Sequence, residues 1–417
     1  MDHGSLYIII AAVVGLWMTW GIGANDLANI LSTAIGSKAI SVRQALTIAI
    51  IFEVAGAYFG GSEVSATIRS GVIDASQLAH TPILLAYGML SVLLAGACWM
   101  TFASWLGMPV SVTNAIVGAL VGVGVVVFGA HAIHWQTVRH IALSWVLSPT
   151  IAGVVAYLLF VSIRRSILGV DDPLAAARRL LPIYLVLVAF ILSMMTSLKA
   201  LHHFIVQPSW ILMIVTVLAT TFVVTGLGWL AMLRIRMGDT MDRHTRFMYI
   251  ESLFSVLMAL TACAMVFAHG SNDVAIAVGP VSGVINFVNH GHFLHSKDAT
   301  FGYITLAGCA GVVIGLIMYG RKVIETVGQS ITLLTPSRAF AATLAAATTV
   351  VVSTGTGIPV SATQTLVGAV LGVGLARGID ALDLTVVRNI FMSWMITIPA
   401  AAGLATVFFI VLKTLSL

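Results

Sequence analysis

Apolar residues run through this chain in stretches of about twenty, each closed by a short polar or glycine-rich cluster. The stretches include 6–22, 42–59, 137–163, 180–198, 209–233, 250–268 and 386–414. Each is long enough to cross roughly 30 Å of hydrocarbon as a helix. Strands of a membrane barrel alternate apolar and polar residues, and these runs do not. Around 107–118 and 357–368 the apolar sequence is interrupted by proline, hydroxyl residues and glycine, and each interruption is expected to sit in a helical hairpin that returns to its starting side. The pattern predicts an all-α integral membrane protein with about eight full spans, two helical hairpins and broken helices at the midplane, about twelve helical segments altogether.

Composition agrees with that reading. Of 417 residues, 59% are hydrophobic and 8% charged, with a mean hydropathy of +1.05; a soluble domain carries roughly 25% charged residues. The first run, Leu6 to Ile22, is read as a retained span and not a signal peptide, because Asp2 and His3 stand where a basic leader is expected and no small-x-small cleavage site follows. Cys98, Cys263 and Cys309 lie inside apolar segments at no metal-ligand spacing, which makes them buried small hydrophobes.

The net charge of +5 is a matter of topology. Arg164, Arg165, Arg178 and Arg179 precede the pair of runs at 180–198 and 209–233, and Arg234, Arg236, Arg243 and Arg246 follow it. Two spans put both basic loops on one side, which the positive-inside rule makes cytoplasmic. Walking outward adds Lys38, Arg43, Arg321, Lys322, Arg338, Arg377 and Arg388 to that side, so that 15 of the 20 basic residues fall inside. Arg69, Arg139, Lys199, Lys297 and Lys413 fall outside. The expected location is the cell (inner) membrane, with both termini outside.

The chain repeats itself. Gly107-Met-Pro109-Val110-Ser111-Val112-Thr113-Asn114 recurs 250 residues later as Gly357-Ile-Pro359-Val360-Ser361-Ala362-Thr363-Gln364, and both copies continue to a Val-Gly and an Ala-x-x-Gly-Val-Gly. Gly23-Ala24-Asn25-Asp26-Leu27-Ala28 matches Gly270-Ser271-Asn272-Asp273-Val274-Ala275 at an offset of 247, and Ser144-Trp145 matches Ser393-Trp394 at 249. Nearly constant offsets mark two copies of one unit, 5–163 and 250–416, joined by a two-span insert at 164–249. The span directions make the copies inverted, an architecture of secondary transporters.

Two kinds of repeated element carry chemistry. Proline at the first turn of a helix loses no hydrogen bond, and the free amides behind it point at whatever lies ahead. Ser111, Thr113, Asn114, Ser361, Thr363 and Gln364 add side-chain donors at the two helix starts, a setting for an oxyanion held without arginine or lysine. The blander alternative is that the hydroxyls only cap kinked helices. Gly118 and Gly122, and Gly368 and Gly372, form faces for close helix packing. Asp26 and Asp273 lie at the inner ends of apolar runs, where an ionised carboxylate is costly without a cation. Gly21, Gly23 and Gly270 are expected to let the helix unwind there and present carbonyls, completing an oxygen cage with Asn25 and Asn272; interfacial helix caps are the alternative. An anion beside two carboxylates repels them unless cations enter as well, which points to symport. Glu53 accepts a cation or pairs with a neighbouring helix. His269, at the position of Ile22 in the first unit, is a buried histidine satisfied by a carbonyl or a coupling residue. The Ser-Trp pairs are expected to be packing and interface anchors.

At these residues the sequence resembles the inorganic phosphate transporter family (solute carrier family 20), whose members carry two Gly-x-Asn-Asp-x-Ala and two Gly-x-Pro-Val-Ser-x-Thr elements. The resemblance implies a cation-coupled phosphate symporter working by alternating access, not an enzyme and with no cofactor. Ser111, Val112, Thr113 and Asn114 with Ser361, Ala362, Thr363 and Gln364 would hold phosphate. Asn25, Asp26, Asn272 and Asp273 would hold the coupling cation, sodium in preference to a proton, with Asp26 and Asp273 as its metal ligands and Glu53, His269 and Asn29 as candidates for coupling. Departures from the family pattern are Ile276, where the first unit has Asn29, and Thr343 or a neighbour, where many members have glutamate. The expected partners are inorganic phosphate, sodium or protons, the lipid bilayer and, as an option, a second copy in a homodimer; no nucleic acid is expected. A sulfate permease of the same fold is the rival within transport, and an intramembrane aspartyl protease the rival from another class.

Overall fold

A backbone in hydrocarbon satisfies its N–H and C=O groups only by bonding to itself, so apolar runs of this length have little choice but to be helices. The computed structural model describes residues 4–415 apart from 62–63, 66–67, 69–70, 74–81, 206, 236–241, 291–298, 327–330 and 355–359. In chain order it forms α1 (Gly4–Gly36), α2 (Val42–Gly60), α3 (Pro82–Leu106), α4 (Val112–Phe128), α5 (Trp135–Leu168), α6 (Pro173–Phe204) and α7 (Trp210–Leu233). There follow α8 (His244–Asn289), α9 (Ala299–Tyr319), α10 (Pro336–Thr354), α11 (Ala362–Arg377) and α12 (Leu384–Thr414), with the short helix Arg321–Glu325 between α9 and α10. Among the described residues nine helices are long and apolar enough to cross a membrane. They are the seven runs named above together with α9 and α3, the latter being the first arm of the first hairpin. The protein is a multi-pass, all-helical membrane protein.

The structure corrects the expected unwinding at the Asn-Asp elements. α1 continues past residue 22 to Gly36, and α8 runs for 46 residues through Gly270. The chain stays helical but widens to a single π-helical turn at Gly23–Leu27 and again at Gly270–Val274. Such a turn inserts one residue into the helix and is often found at functional sites. Close packing explains why glycine leads each one: a Cβ on Gly23 would lie 1.7 Å from the Val312 carbonyl oxygen, and one on Gly270 2.3 Å from that of Glu53. A third π-turn, Ala49–Glu53, lies in α2 opposite the second of these.

The helices pair across the repeats. α4 packs along α12 and α11 along α5; α1 packs on α9 and α2 on the middle of α8. The glycine faces make the first two contacts: a Cβ on Gly122 would sit 2.7 Å from the Ala402 oxygen, and one on Gly372 2.0 Å from that of Gly153. In lipid, where apolar surface gains nothing by leaving its solvent, such backbone proximity supplies the packing energy. Arg164 donates to the Ala376 carbonyl at 2.7 Å, tying the end of α5 to the C-terminal turn of α11. α7 buries only Val217, Gly228 and Met232 and turns Trp210, Phe222 and Leu227 outward, as a lipid-facing helix does. Cys263 and Cys309 are buried and Cys98 half-buried, all unpaired.

Replacing Gly372 by alanine forces its new methyl into the Gly153 carbonyl, an overpacking that costs about 1–3 kcal/mol. Gly372→Ala is expected to lower the thermal unfolding midpoint in detergent. Gly403→Ala, in α12 with nothing within 4 Å of its added Cβ, is expected to leave it unchanged or raised.

Candidate functional site

Both predicted helix starts are real. Ser111 has extended backbone, and its Oγ accepts the Asn114 amide at 3.2 Å, so it caps α4; Ser361 caps α11 through the Gln364 amide at 3.1 Å. The Ser111 hydroxyl itself donates to Asn114 Oδ1 at 3.0 Å. The serines therefore have the capping role that was one of the two expectations. Gly107 holds φ +72 at the turn before the first start; Gly357 and Pro359 lie outside the described residues, as do Arg69, Arg236 and Lys297.

The Pro109 carbonyl, which the break leaves outside the helical ladder, accepts from the indole of Trp394 at 3.1 Å and from Ser393 Oγ at 3.4 Å. Ser393-Trp394 is thus a buried packing anchor, and what it holds is the break in the other repeat. Asn25 does the same from α1. Its Nδ2 donates to the Met108 carbonyl at 2.9 Å and to Ser104 Oγ at 3.3 Å, and its Oδ1 accepts the Val110 amide at 3.0 Å.

Asp26 joins the two helix starts. One carboxylate oxygen accepts the Val112 amide at 3.1 Å, at the first turn of α4, and the other accepts a short hydrogen bond from the Thr363 hydroxyl on α11. From the opposite side Asn272 Nδ2 donates to the Val360 carbonyl at 2.7 Å and to Asp273 Oδ1 at 2.8 Å, and the Thr113 hydroxyl reaches the same Val360 carbonyl at 3.3 Å. Two π-turns and two helix starts thus close into one cluster, whose members Asn25, Asp26, Ser111, Thr113, Asn114, Asn272, Asp273, Ser361, Thr363 and Gln364 are all buried. Val112 and Ala362 lie in the same two first turns.

His269 is not satisfied by a carbonyl. Its Nδ1 lies 2.6 Å from Glu53 Oε1, and its Nε2 3.3 Å from Asp273 Oδ2, all three side chains buried. Glu53 thus pairs with a neighbouring helix, one of its two expected roles. One ligand atom each from Asp26, His269 and Asp273 fall within 4.8 Å of one another. Asn29 is buried one turn after Asp26, and neither end of its amide has a hydrogen-bond partner among the described residues, nor does Gln364 Oε1. Ile276 is fully buried, and Thr343 shares a hydrogen bond of 3.0 Å with Thr33.

One buried acid escaped the sequence reading. Glu251, near the start of α8, accepts the Ser337 amide and hydroxyl, both at 2.8 Å, and so caps the first turn of α10. A lone carboxylate at the head of an apolar run was signal enough to single it out.

With this geometry in hand, known proteins can be compared. The model of the family described as "Phosphate transporter family" matches residues 22–405. The chain belongs to the phosphate transporter family. A protein of Haemophilus influenzae described as "Putative phosphate permease" is 45% identical over 415 residues, covering 99% of this chain and 98% of its own. One of Pyrococcus abyssi under the same description is 37% identical, covering 97% and 98%. The solved structure titled "The sodium-dependent phosphate transporter" superposes with a TM-score of 0.87 at 36% identity, covering 98% of this chain and 99% of its own.

The side chains that hold the helix breaks should register in stability. Trp394→Phe removes one donor to the Pro109 carbonyl, worth about 1 kcal/mol. Asn25→Leu removes three bonds and leaves the Val110 amide buried and unpaired, a loss of about 2 kcal/mol or more. The larger fall in unfolding midpoint is expected for Asn25→Leu.

Proposed function

We propose that this protein is a secondary active transporter that carries inorganic phosphate together with a cation, sodium in preference to a proton, by alternating access. The observation that carries the reading is the meeting of two helix starts, one from each repeat, around the Asp26 carboxylate. Amides of the first turns of α4 and α11, with Thr113 and Thr363, form an anion cradle built from neutral donors. Neutral donors suit a cargo that must leave again. Val112 and Thr363 give their hydrogen bonds to Asp26, so an oxyanion entering the cradle meets a negative group already on its donors. A cation on Asp26 and Asp273 relieves that conflict, which is the physical basis for coupling.

Phosphate fits better than sulfate. It keeps a proton at neutral pH and can donate to Asp26 or Asp273, whereas sulfate offers only acceptors. The names of the relatives agree, and their description as permeases and transporters supports transport over peptide hydrolysis. The repeats exchange packing partners, so rocking one set of helices against the other would expose the shared site to either side in turn. The bias of the basic loops supports an orientation with Arg164–Arg179 in the cytoplasm and both termini outside the cell membrane.

Uptake of radiolabelled phosphate into proteoliposomes, with sodium and pH gradients imposed separately, tests the reading. Accumulation is expected under an inward sodium gradient; its absence under either gradient would overturn symport. Asp26→Asn and Asp273→Asn keep shape and remove charge, and each is expected to abolish driven uptake. Thr363→Val removes a hydroxyl from the cradle and is expected to weaken phosphate binding about tenfold or more, as the loss of a hydrogen bond to a charged group does. For topology, a single cysteine at Asp172 is expected to react with an impermeant thiol reagent only from the cytoplasmic side. Labelling from outside would contradict the orientation.

A further inference from the structure

The two Asn-Asp turns share a backbone but not their surroundings. Gly23 packs on Val312 and Gly270 on Glu53, so Val312 of α9 and Glu53 of α2 hold matching places in the inverted repeats. The residues just before those glycines are Ile22 and His269. Beside the first turn stand Ile22 and Val312; beside the second, His269 is hydrogen-bonded to Glu53. The apolar pair shows that the fold does not require the polar one. A buried ion pair is often no more stabilising than a well-packed apolar pair of similar volume.

The pair orients a ligand atom. A carboxylate 2.6 Å from Nδ1 holds the proton on that nitrogen, so Nε2 is the ring atom turned to the cluster, and it offers a lone pair to a metal ion that displaces its proton. There Nε2 meets Asp273 Oδ2 at 3.3 Å, and both atoms are buried with no hydrogen-bond partner among the described residues. A contact at that separation calls for a positive centre between the two atoms, either a proton on Nε2 or a metal ion in its place. Asp26 brings a third ligand atom, from the other repeat, within 4.8 Å of both.

We propose that Asp26, His269 Nε2 and Asp273 form a site for a divalent transition metal of the zinc class, with Glu53 positioning the imidazole from behind. The proposal rests on the reading of Asp26 and Asp273 as cation ligands and narrows it for the second turn. Sodium is a hard cation served by oxygen alone, while imidazole nitrogen with carboxylate suits zinc. Three protein ligands and one open position are a common zinc arrangement, and a carboxylate behind the ligating histidine is its usual support. Because Asp26 is shared, the metal competes with sodium there and ties α1 to α8. Zinc is therefore a brake on sodium-coupled transport in this chain, and His269 is the residue that makes it one.

The test uses purified, chelator-stripped full-length protein in phosphate-free detergent, titrated with zinc by calorimetry and with cobalt(II) by visible absorption. Wild type is expected to bind one zinc per chain and to give cobalt bands of a nitrogen–oxygen site of low coordination number. His269→Ile, which installs the residue of the first repeat, is expected to abolish both signals; His269→Gln replaces it if the isoleucine variant does not fold. Glu53→Gln is expected to weaken zinc about 10–100-fold, as loss of a carboxylate behind a ligating histidine does. His203→Ala, a change well outside the cluster, is expected to leave zinc affinity unchanged. A flat zinc titration, or equal affinity in wild type and the His269 variants, overturns the proposal. Sodium-driven phosphate uptake is measured on the same preparations. Normal uptake with no zinc binding removes the metal site alone, and zinc binding without uptake removes the transport reading alone.

Discussion

Everything in this structure turns on placing an ionisable group, Asp26, where two helices begin inside an apolar bundle. A helix start exposes amides that water satisfies on a soluble protein and that nothing satisfies in hydrocarbon. Asp26 supplies acceptors to Val112 and Thr363, Asn25 and Trp394 complete the bonding of the first break, and Asn272 and Thr113 bond the Val360 carbonyl at the second. Each break in one repeat is held by side chains that include some from the other. The site and the junction between repeats are therefore one object, and a cargo that displaces these bonds necessarily acts on how the repeats are joined.

The scaffold around that junction is built for approach at backbone distance. Gly122 against Ala402 and Gly372 against Gly153 bring α4 to α12 and α11 to α5, while Gly23 and Gly270 let the π-turns touch α9 and α2. In a bilayer this is the main source of packing energy available between helices. It also explains why the Asn-Asp elements remain helical. Unwinding them would cost these contacts, and the π-turn presents the carboxylate without losing them.

Inverted repetition leads to an expectation of two equal cation sites, and the surroundings of the two turns depart from it. His269 and Glu53 surround the second turn; Ile22 and Val312 surround the first. A fold match at a TM-score of 0.87 places the architecture with a sodium-dependent phosphate transporter, but it concerns backbone, and the difference between the turns lies in side chains.

Most of the architecture was legible in the sequence because hydrocarbon leaves a chain so few options. Run length set the spans, the nearly constant offset of three motifs pointed to two copies of one unit, and proline followed by serine announced both helix starts. The family followed from the same motifs. What the sequence left open were matters of who meets whom. Glu53 and His269 are 216 positions apart, and Trp394 and Pro109 are 285 apart, so no local pattern could join them. The π-turns were hidden for a related reason: glycine reads locally as a place to unwind, and only the neighbouring backbones of Val312 and Glu53 make it a place to pack. Local chemistry chose the residues, and tertiary contact, which brings distant side chains within 3 Å, chose their partners.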